Sequence, residues 1–294
     1  MSRVLVLGAA GMLGHKMLQT LRSEDREVVG TVRGDVASLG LVGEFLTETA
    51  SIVERVNVAD LNTVQRALDE VDPDVVVNCV GVVKQRPTAK DSITSITVNA
   101  LFPHQLASMC AQSDRRLIHF STDCVFSGRR GSYTEEDESD ALDLYGRTKY
   151  LGEIGGDALT LRTSIIGREL STFQSLVEWF ISQNGETVQG FERAMYSGVT
   201  TLQAARTVGK IIDEYPDLSG LYQMVGPVIS KYDLLCEIRD AMELDISIVP
   251  NSEFVLDRTL EGDRFAAKTG IVPPSWTDMI TEMANDPTPY EDLR

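Results

Sequence analysis

Tyr145 and Lys149 stand four residues apart in the stretch DLYGRTKYLGE, Asp143 to Glu153. Residues at that spacing share one face of a helix, so a phenol and an ammonium can point into a single cleft. A free tyrosine ionises near pH 10, and a neighbouring cation favours the phenolate. That brings the hydroxyl toward a range where it exchanges a proton at neutral pH. Such pairs also arise by chance on surface helices, so a third group must support the pair. FSTDCVFSG supplies it: Ser121, Thr122 and Asp123 follow an apolar run that ends a strand. There the Thr122 hydroxyl can hydrogen-bond a substrate oxygen, while the plainer role for Ser121 and Thr122 is to cap the strand end.

A second group of residues is suited to phosphate. LGAAGMLGHKML places Gly8, Gly11 and Gly14 at three-residue intervals between a β-branched run and an amphipathic one. Glycines in that order permit a tight turn, close backbone approach to a pyrophosphate, and packing of helix on strand. Met12 and Leu13 belong to the same loop, and His15 on the following helix reads as structural. An acidic residue usually ends the second strand of such a unit and grips a ribose hydroxyl. Here EVVGTVRGD offers Val32 and Arg33, with Asp35 slightly late, so NADP(H) is preferred and NAD(H) stays open. Asp60 is placed to meet the adenine edge with Leu61 beside it, or else to cap the helix LNTVQRAL. Cys79, Val80 and Gly81 after the fourth strand, with Thr163 and Ser164 after the sixth, complete the expected cofactor envelope.

These residues require a scaffold of alternating strands and helices. RVLVLG, EVVGTV, RVNVAD, DVVVNCVG, RRLIHFST and LTLRTSIIG read as six strands. MLGHKMLQTLR, LNTVQRALDEVDP and the long SITVNALFPHQLASMCAQ have apolar residues at helical spacing. The expected fold is α/β, a doubly wound parallel sheet over residues 1–166 with a smaller C-terminal α/β lobe. Residues 199–216 are expected to return to the first sheet, leaving 167–198 and 217–294 to the smaller lobe. FQSLVEWFISQ and YDLLCEIRDAMEL read as helices of that lobe, with GLYQMVG and ISIVP as its short strands.

Composition removes other functional classes. The 294 residues carry a formal charge of −17, which opposes nucleic acid or an anionic membrane as partner. With 43% hydrophobic residues and no apolar run of membrane-spanning length, a cytoplasmic globular protein is expected. Cys79, Cys110, Cys124 and Cys236 lie far apart and the three histidines do not cluster, so neither a disulfide framework nor a metal site is expected.

GAAGMLG, STDCVFSG, YGRTKYLGE and LRTSIIG, in this order, resemble the extended short-chain dehydrogenase/reductase superfamily, and within it the dTDP-4-dehydrorhamnose reductases. The resemblance covers Gly8 to about Gly167 and is looser in SGLYQMVGPVISKYDLL. It implies Thr122, Tyr145 and Lys149 as a catalytic triad, with Asn99 supporting it from the helix behind. It also implies hydride transfer from a nicotinamide to the C4 ketone of a nucleotide sugar, with Tyr145 protonating the oxygen and Lys149 holding the nicotinamide ribose. Related sugar dehydratases carry a glutamate after Ser-Thr-Asp; Cys124 stands there instead, which favours a plain reductase. Cys124 itself reads as a small packing residue without a basic partner. The Gly-x-Pro-Thr turn of these reductases is replaced by QGFERAMYSGVTT. Arg193 and Arg258 are expected either to bind a nucleotide diphosphate or to make surface ion pairs. Val82, Lys84 and Asp123 should border the substrate. Two other readings share the motifs: a 4-epimerase with tightly held NAD, and a regulatory subunit like the β subunit of methionine adenosyltransferase. A homodimer is open in each case.

Overall fold

The computed structural model describes residues 2–22, 26–83 and 91–293. Its centre is a seven-stranded sheet, parallel throughout, built from β1 (Ser2–Leu7), β2 (Arg26–Thr31), β3 (Ser51–Val53), β4 (Val75–Asn78), β5 (Arg116–Thr122), β6 (Leu159–Thr163) and a late strand, Gly220–Gln223. In space the order is Gly220–Gln223, β6, β5, β4, β1, β2, β3. The direction of winding reverses between β1 and β4, which opens a crevice beyond their carboxyl ends.

The strands are apolar because helices cover both faces. Alternation along β1 sends Val4 and Val6 into one core and Leu5 and Leu7 into the other. The first core holds α1 (Gly14–Thr20) and α2 (Leu41–Thr49). The second is filled by α3 (Leu61–Val71), through Val64, Leu68 and Val71, and by a helical run after α4 (Ser92–Ser95). That run passes through a π-helical turn, Ile96–Leu101, into α5 (Phe102–Ala111), which contributes Phe102, Leu106 and Cys110. α6 (Leu144–Leu151) follows β5.

The smaller lobe begins with β7 (Ile165–Ile166), α7 (Leu176–Ile181) and β8 (Thr187–Tyr196). β9 (Val199–Thr200) pairs with β7 and leads into α8 (Thr201–Glu214), which packs on α1. After the late strand of the main sheet, β10, come β11 (Ile229–Ser230), α9 (Lys231–Ala241) and β12 (Ser247–Asp257). β8 is the middle strand of a three-stranded sheet, antiparallel to β11 and parallel to β12, with α9 against it. α10 (Asp263–Thr269) rests on β10, and α11 (Trp276–Ala284) lies against α9 and β9. Among the described residues no helix is long and apolar enough to cross a membrane.

Four sequence expectations change. RVNVAD is not a strand, because Arg55 takes a left-handed conformation (φ 56°) that ends β3 at Val53. LTLRTSIIG divides at Ser164, with β6 in the main sheet and β7 leaving it. The long helix from Ser95 is interrupted by the π-helical turn. GLYQMVG does not belong to the smaller lobe: Gly220–Gln223 pairs with Leu159–Arg162 of β6 and forms an edge of the main sheet, so residues 217–294 are shared between the two bodies.

Candidate active site

The glycine loop is shaped by close contacts that exclude side chains. Gly8 has φ 85°, and a Cβ on Gly14 would lie 2.0 Å from the Gly8 carbonyl oxygen. α1 can therefore start directly above the end of β1. The Gly11 amide donates to that same oxygen at 3.0 Å. The loop thus turns its backbone toward the crevice beside β4, as a pyrophosphate requires.

α6 is held as closely on the other side. The Asp143 side chain caps it, accepting from the Gly146 amide at 2.8 Å. A Cβ on Gly146 would lie 2.1 Å from the Cys124 carbonyl, and one on Gly152 would lie 1.9 Å from the Asn99 carbonyl. Gly146 seats the helix on the exit of β5 and Gly152 seats it on the π-helical turn, so Tyr145 and Lys149 face the carboxyl end of the sheet.

The polar groups there form a connected set. The Thr122 hydroxyl donates to Asp123 Oδ1 at 3.0 Å and accepts from the Cys124 amide at 3.2 Å. Burial pushes the Tyr145 phenol well above its ordinary range, with hydrogen bonding to Thr122 acting in the opposite direction. Lys149 Nζ donates to the Phe120 carbonyl at 2.6 Å. Burial brings the Lys149 pKa down to about 8, against the charge of Glu153. The expected lowering of Tyr145 by Lys149 is therefore absent here: the ammonium is bound to main chain, and desolvation dominates the phenol. Asn99 accepts from the Val82 amide at 2.8 Å and donates to the Val82 carbonyl at 3.0 Å and to Thr148 Oγ1 at 3.5 Å. It fixes the loop after β4 to α6. Behind the site, Glu153 receives two bonds from Arg162, Nε at 2.9 Å and Nη2 at 2.7 Å, and one from Ser121 Oγ at 2.6 Å.

A cavity of about 350 Å³ brings these elements together. Of the expected residues, Gly11, Met12, Leu13, Cys79, Val80, Gly81, Val82, Thr122, Asp123, Tyr145, Lys149, Thr163 and Ser164 line it. Gly8, Gly14 and Asn99 stand behind the wall and shape it. Arg33 is exposed at the end of β2, and among the described residues no hydrogen bond or ion pair engages it. Asp35 instead pairs with Arg55. Asp60 caps α3, accepting from the Asn62 amide at 3.1 Å, and Leu61 packs on the second core. Lys84 lies outside the described residues.

Two residues expected at the substrate are not among those that line the cavity. Arg193 is exposed on β8 and does not line the cavity. Arg258 is occupied, with Nε donating to the Phe126 carbonyl at 2.9 Å and Nη1 lying 3.6 Å from Cys124 Sγ. That contact also gives Cys124 the basic neighbour its sequence context did not suggest. A second cation beside Lys149 lines the cavity: Lys231, at the start of α9, its Nζ 3.7 Å from the Tyr196 ring centroid. Burial brings the Lys231 pKa down to about 8, opposed by Asp123 and Cys124. Tyr196 and Glu169 also line the wall. The local signal for Lys231 was its place after the Ser230 cap in ISKYDLL, which says nothing about the direction of the side chain.

Residues 2–288 match the family model described as the RmlD substrate binding domain. The chain belongs to this family. Among its relatives, the chain is 30% identical over 266 residues to the probable low-salt glycan biosynthesis reductase Agl14 of Haloferax volcanii, spanning 86% of this chain and 85% of that one. It is 26% identical to the methionine adenosyltransferase 2 subunit beta of Bos taurus, over 83% of this chain and 73% of that one. The fold matches that of a dTDP-4-dehydrorhamnose reductase from Bacillus anthracis in complex with NADP, with a TM-score of 0.80 at 19% identity, covering 98% of this chain and 100% of that one. RmlD-type architecture thus extends over both lobes, including the part where the motifs thin out.

Proposed function

We propose that this protein is an NADPH-dependent reductase of a 4-keto nucleotide sugar, working in the cytoplasm in the synthesis of a deoxysugar for glycan or polysaccharide. One observation carries the reading: Thr122, Tyr145 and Lys149 line the same cavity as the loop Gly11–Leu13. The residues present suit the dinucleotide. The glycine loop leaves room for phosphate against backbone, and Arg33 is an exposed cation with no other engagement among the described residues. When bound, the cofactor supplies the hydride.

The protein supplies position and a proton. Thr122, held by the Cys124 amide, aligns the carbonyl oxygen of the sugar by turning its hydroxyl proton from Asp123 to that oxygen. Tyr145 gives its hydroxyl proton to that oxygen as the carbon is reduced, and its raised pKa keeps the proton available at neutral pH. Lys149 stays cationic below about pH 8 and holds the nicotinamide end of the site. Lys231 faces the sugar end, where it meets the negative charge of a nucleotide sugar. A thiol at Cys124 is a poor substitute for the glutamate that a dehydratase uses at this place, and Arg258 already contacts its sulfur.

The test follows NADPH absorbance with purified protein and a panel of 4-keto-6-deoxy nucleotide sugars, each repeated with NADH. Oxidation of NADPH by one sugar supports the reading and identifies the substrate. NADPH binding without turnover across the panel overturns it in favour of an epimerase or a regulatory subunit.

A further inference from the structure

Far from the catalytic groups, the segment after α11 lies across the back of α1. Tyr290 is 3% exposed and Thr288 7% exposed, while Pro287, Pro289 and Glu291 between and after them face outward. Lys16 and Asp286 form a buried ion pair, and Lys16 Nζ also donates to Thr288 Oγ1 at 2.8 Å and to Gln19 Oε1 at 2.7 Å. The feature that points to function is His15, with no exposed surface, held between two partners. Its Nδ1 lies 2.9 Å from the Gly11 carbonyl oxygen and its Nε2 lies 3.0 Å from Tyr290 Oη.

The direction of these bonds follows from chemistry. A carbonyl only accepts, so Nδ1 carries the proton. Burial brings the His15 pKa down to about 4, so the ring is neutral, and Nε2 at 3.0 Å is a nearer acceptor for the Tyr290 hydroxyl than Asp286 Oδ2 at 3.4 Å. One ordered chain therefore runs from Tyr290 through His15 to Gly11, and Gly11 lines the cavity within the glycine loop. Tyr290 is fixed in turn by Arg168, whose guanidinium lies 4.6 Å from the ring centroid and bonds Glu178 at 2.6 Å and Glu291 at 2.8 Å. Arg168 begins the segment that continues through the cavity-wall residues Glu169, Thr172 and Gln174.

We propose that the segment Asp286–Glu291 is a clasp that sets the glycine loop for dinucleotide binding, with Tyr290 and His15 as positioning residues. The inference rests on the reading that this loop holds a dinucleotide, and it is independent of which sugar is reduced. It predicts an effect on cofactor affinity that differs from a general loss of stability.

Three single variants separate these effects: Tyr290→Phe, His15→Asn and His15→Gln. Asn places its amide where Nδ1 was and can still donate to Gly11, whereas Gln reaches toward Tyr290 and leaves the Gly11 carbonyl with only the main-chain amide of residue 15, which lies 3.1 Å from it. The dissociation constant for NADPH is measured by fluorescence titration at a fixed interval below each variant's own melting temperature. Tyr290→Phe and His15→Gln are expected to weaken NADPH binding by about 3- to 10-fold, the loss of one buried hydrogen bond, with His15→Asn closer to wild type. Equal dissociation constants in wild type and Tyr290→Phe, or equal losses in His15→Asn and His15→Gln, overturn the proposal. Failure of the wild-type protein to bind either NADPH or NADH would instead overturn the dinucleotide reading itself.

Discussion

Lys149 donates to the main-chain carbonyl of Phe120, 2.6 Å away, and this fixes the ammonium to β5 one turn of helix from Tyr145. The two residues share a face of α6, yet in the protein alone their electrostatics are set separately, each mainly by its own burial. Tyr145 is held as a protonated phenol and Lys149 as a weakened ammonium.

The phenol is expected to be indispensable to turnover and dispensable for binding. Tyr145→Phe removes the proton donor and leaves the ring that lines the cavity. Sugar reduction should fall by ~10²–10⁴-fold, with the NADPH dissociation constant unchanged. A variant that keeps more than about a tenth of the wild-type rate would assign the acid elsewhere.

The pH profile should report the ammonium. Lys149 has its pKa lowered from the ordinary lysine range to about 8, so its charge is present below that pH and lost as pH rises through it. Tyr145 is shifted upward and keeps its proton across the same range. We therefore expect kcat/KM for reduction to decline above about pH 8, a limb that belongs to the free enzyme. Because Glu153 raises the Lys149 pKa, Glu153→Gln should move the limb to lower pH. A profile that stays flat through this range would contradict the assignment.

Cofactor preference is expected to rest on Arg33. Asp35 is paired with Arg55, which leaves Arg33 to meet a 2′-phosphate at the end of β2. Arg33→Ser should weaken NADPH by about 10- to 100-fold, the scale of one charge-assisted contact, and leave NADH unchanged. Equal effects on both dinucleotides would refute the role.

How much of this was legible beforehand depended on whether the geometry is local. Gly8, Gly11 and Gly14 act within one turn, and Tyr145 and Lys149 within one helix, so their spacing in the chain already describes their spacing in the molecule. Lys231 and Tyr196 enter the cavity from the smaller lobe, and no local pattern tells which face of α9 or β8 meets the crevice. Arg258 looked like a ligand for phosphate because its residue type suits one, but the fold gives its guanidinium to the Phe126 carbonyl. The partner of Lys149 is a backbone oxygen, which any residue at position 120 would provide. Arg55 ends β3 by a backbone conformation that is uncommon outside glycine, so a run of alternating valines was misread as a strand.

The buried pair behind the site should be a source of stability that cannot be halved. Arg162 and Glu153 are almost fully buried, and Glu153 also accepts from Ser121. Glu153→Ala leaves the guanidinium without a counter-charge in the interior, at a cost of roughly 3–5 kcal/mol. Urea denaturation should show the midpoint falling with little change in slope. A loss below about 1 kcal/mol would mean that water or another acceptor replaces the carboxylate.

The edge strand β10 has a consequence for how the chain reaches its final form. Tyr222 lies in register with Leu161, so the sheet that carries Thr122 is completed by residues made some sixty positions later, after α7, β8 and α8. During synthesis a chain that has emerged as far as α8 still exposes the flank of β6 as an unpaired edge, open to pairing with another chain. The two lobes are therefore not modules that can mature one after the other. Assembly of the first waits on the thread that passes through the second, and such long-range closure favours slow folding.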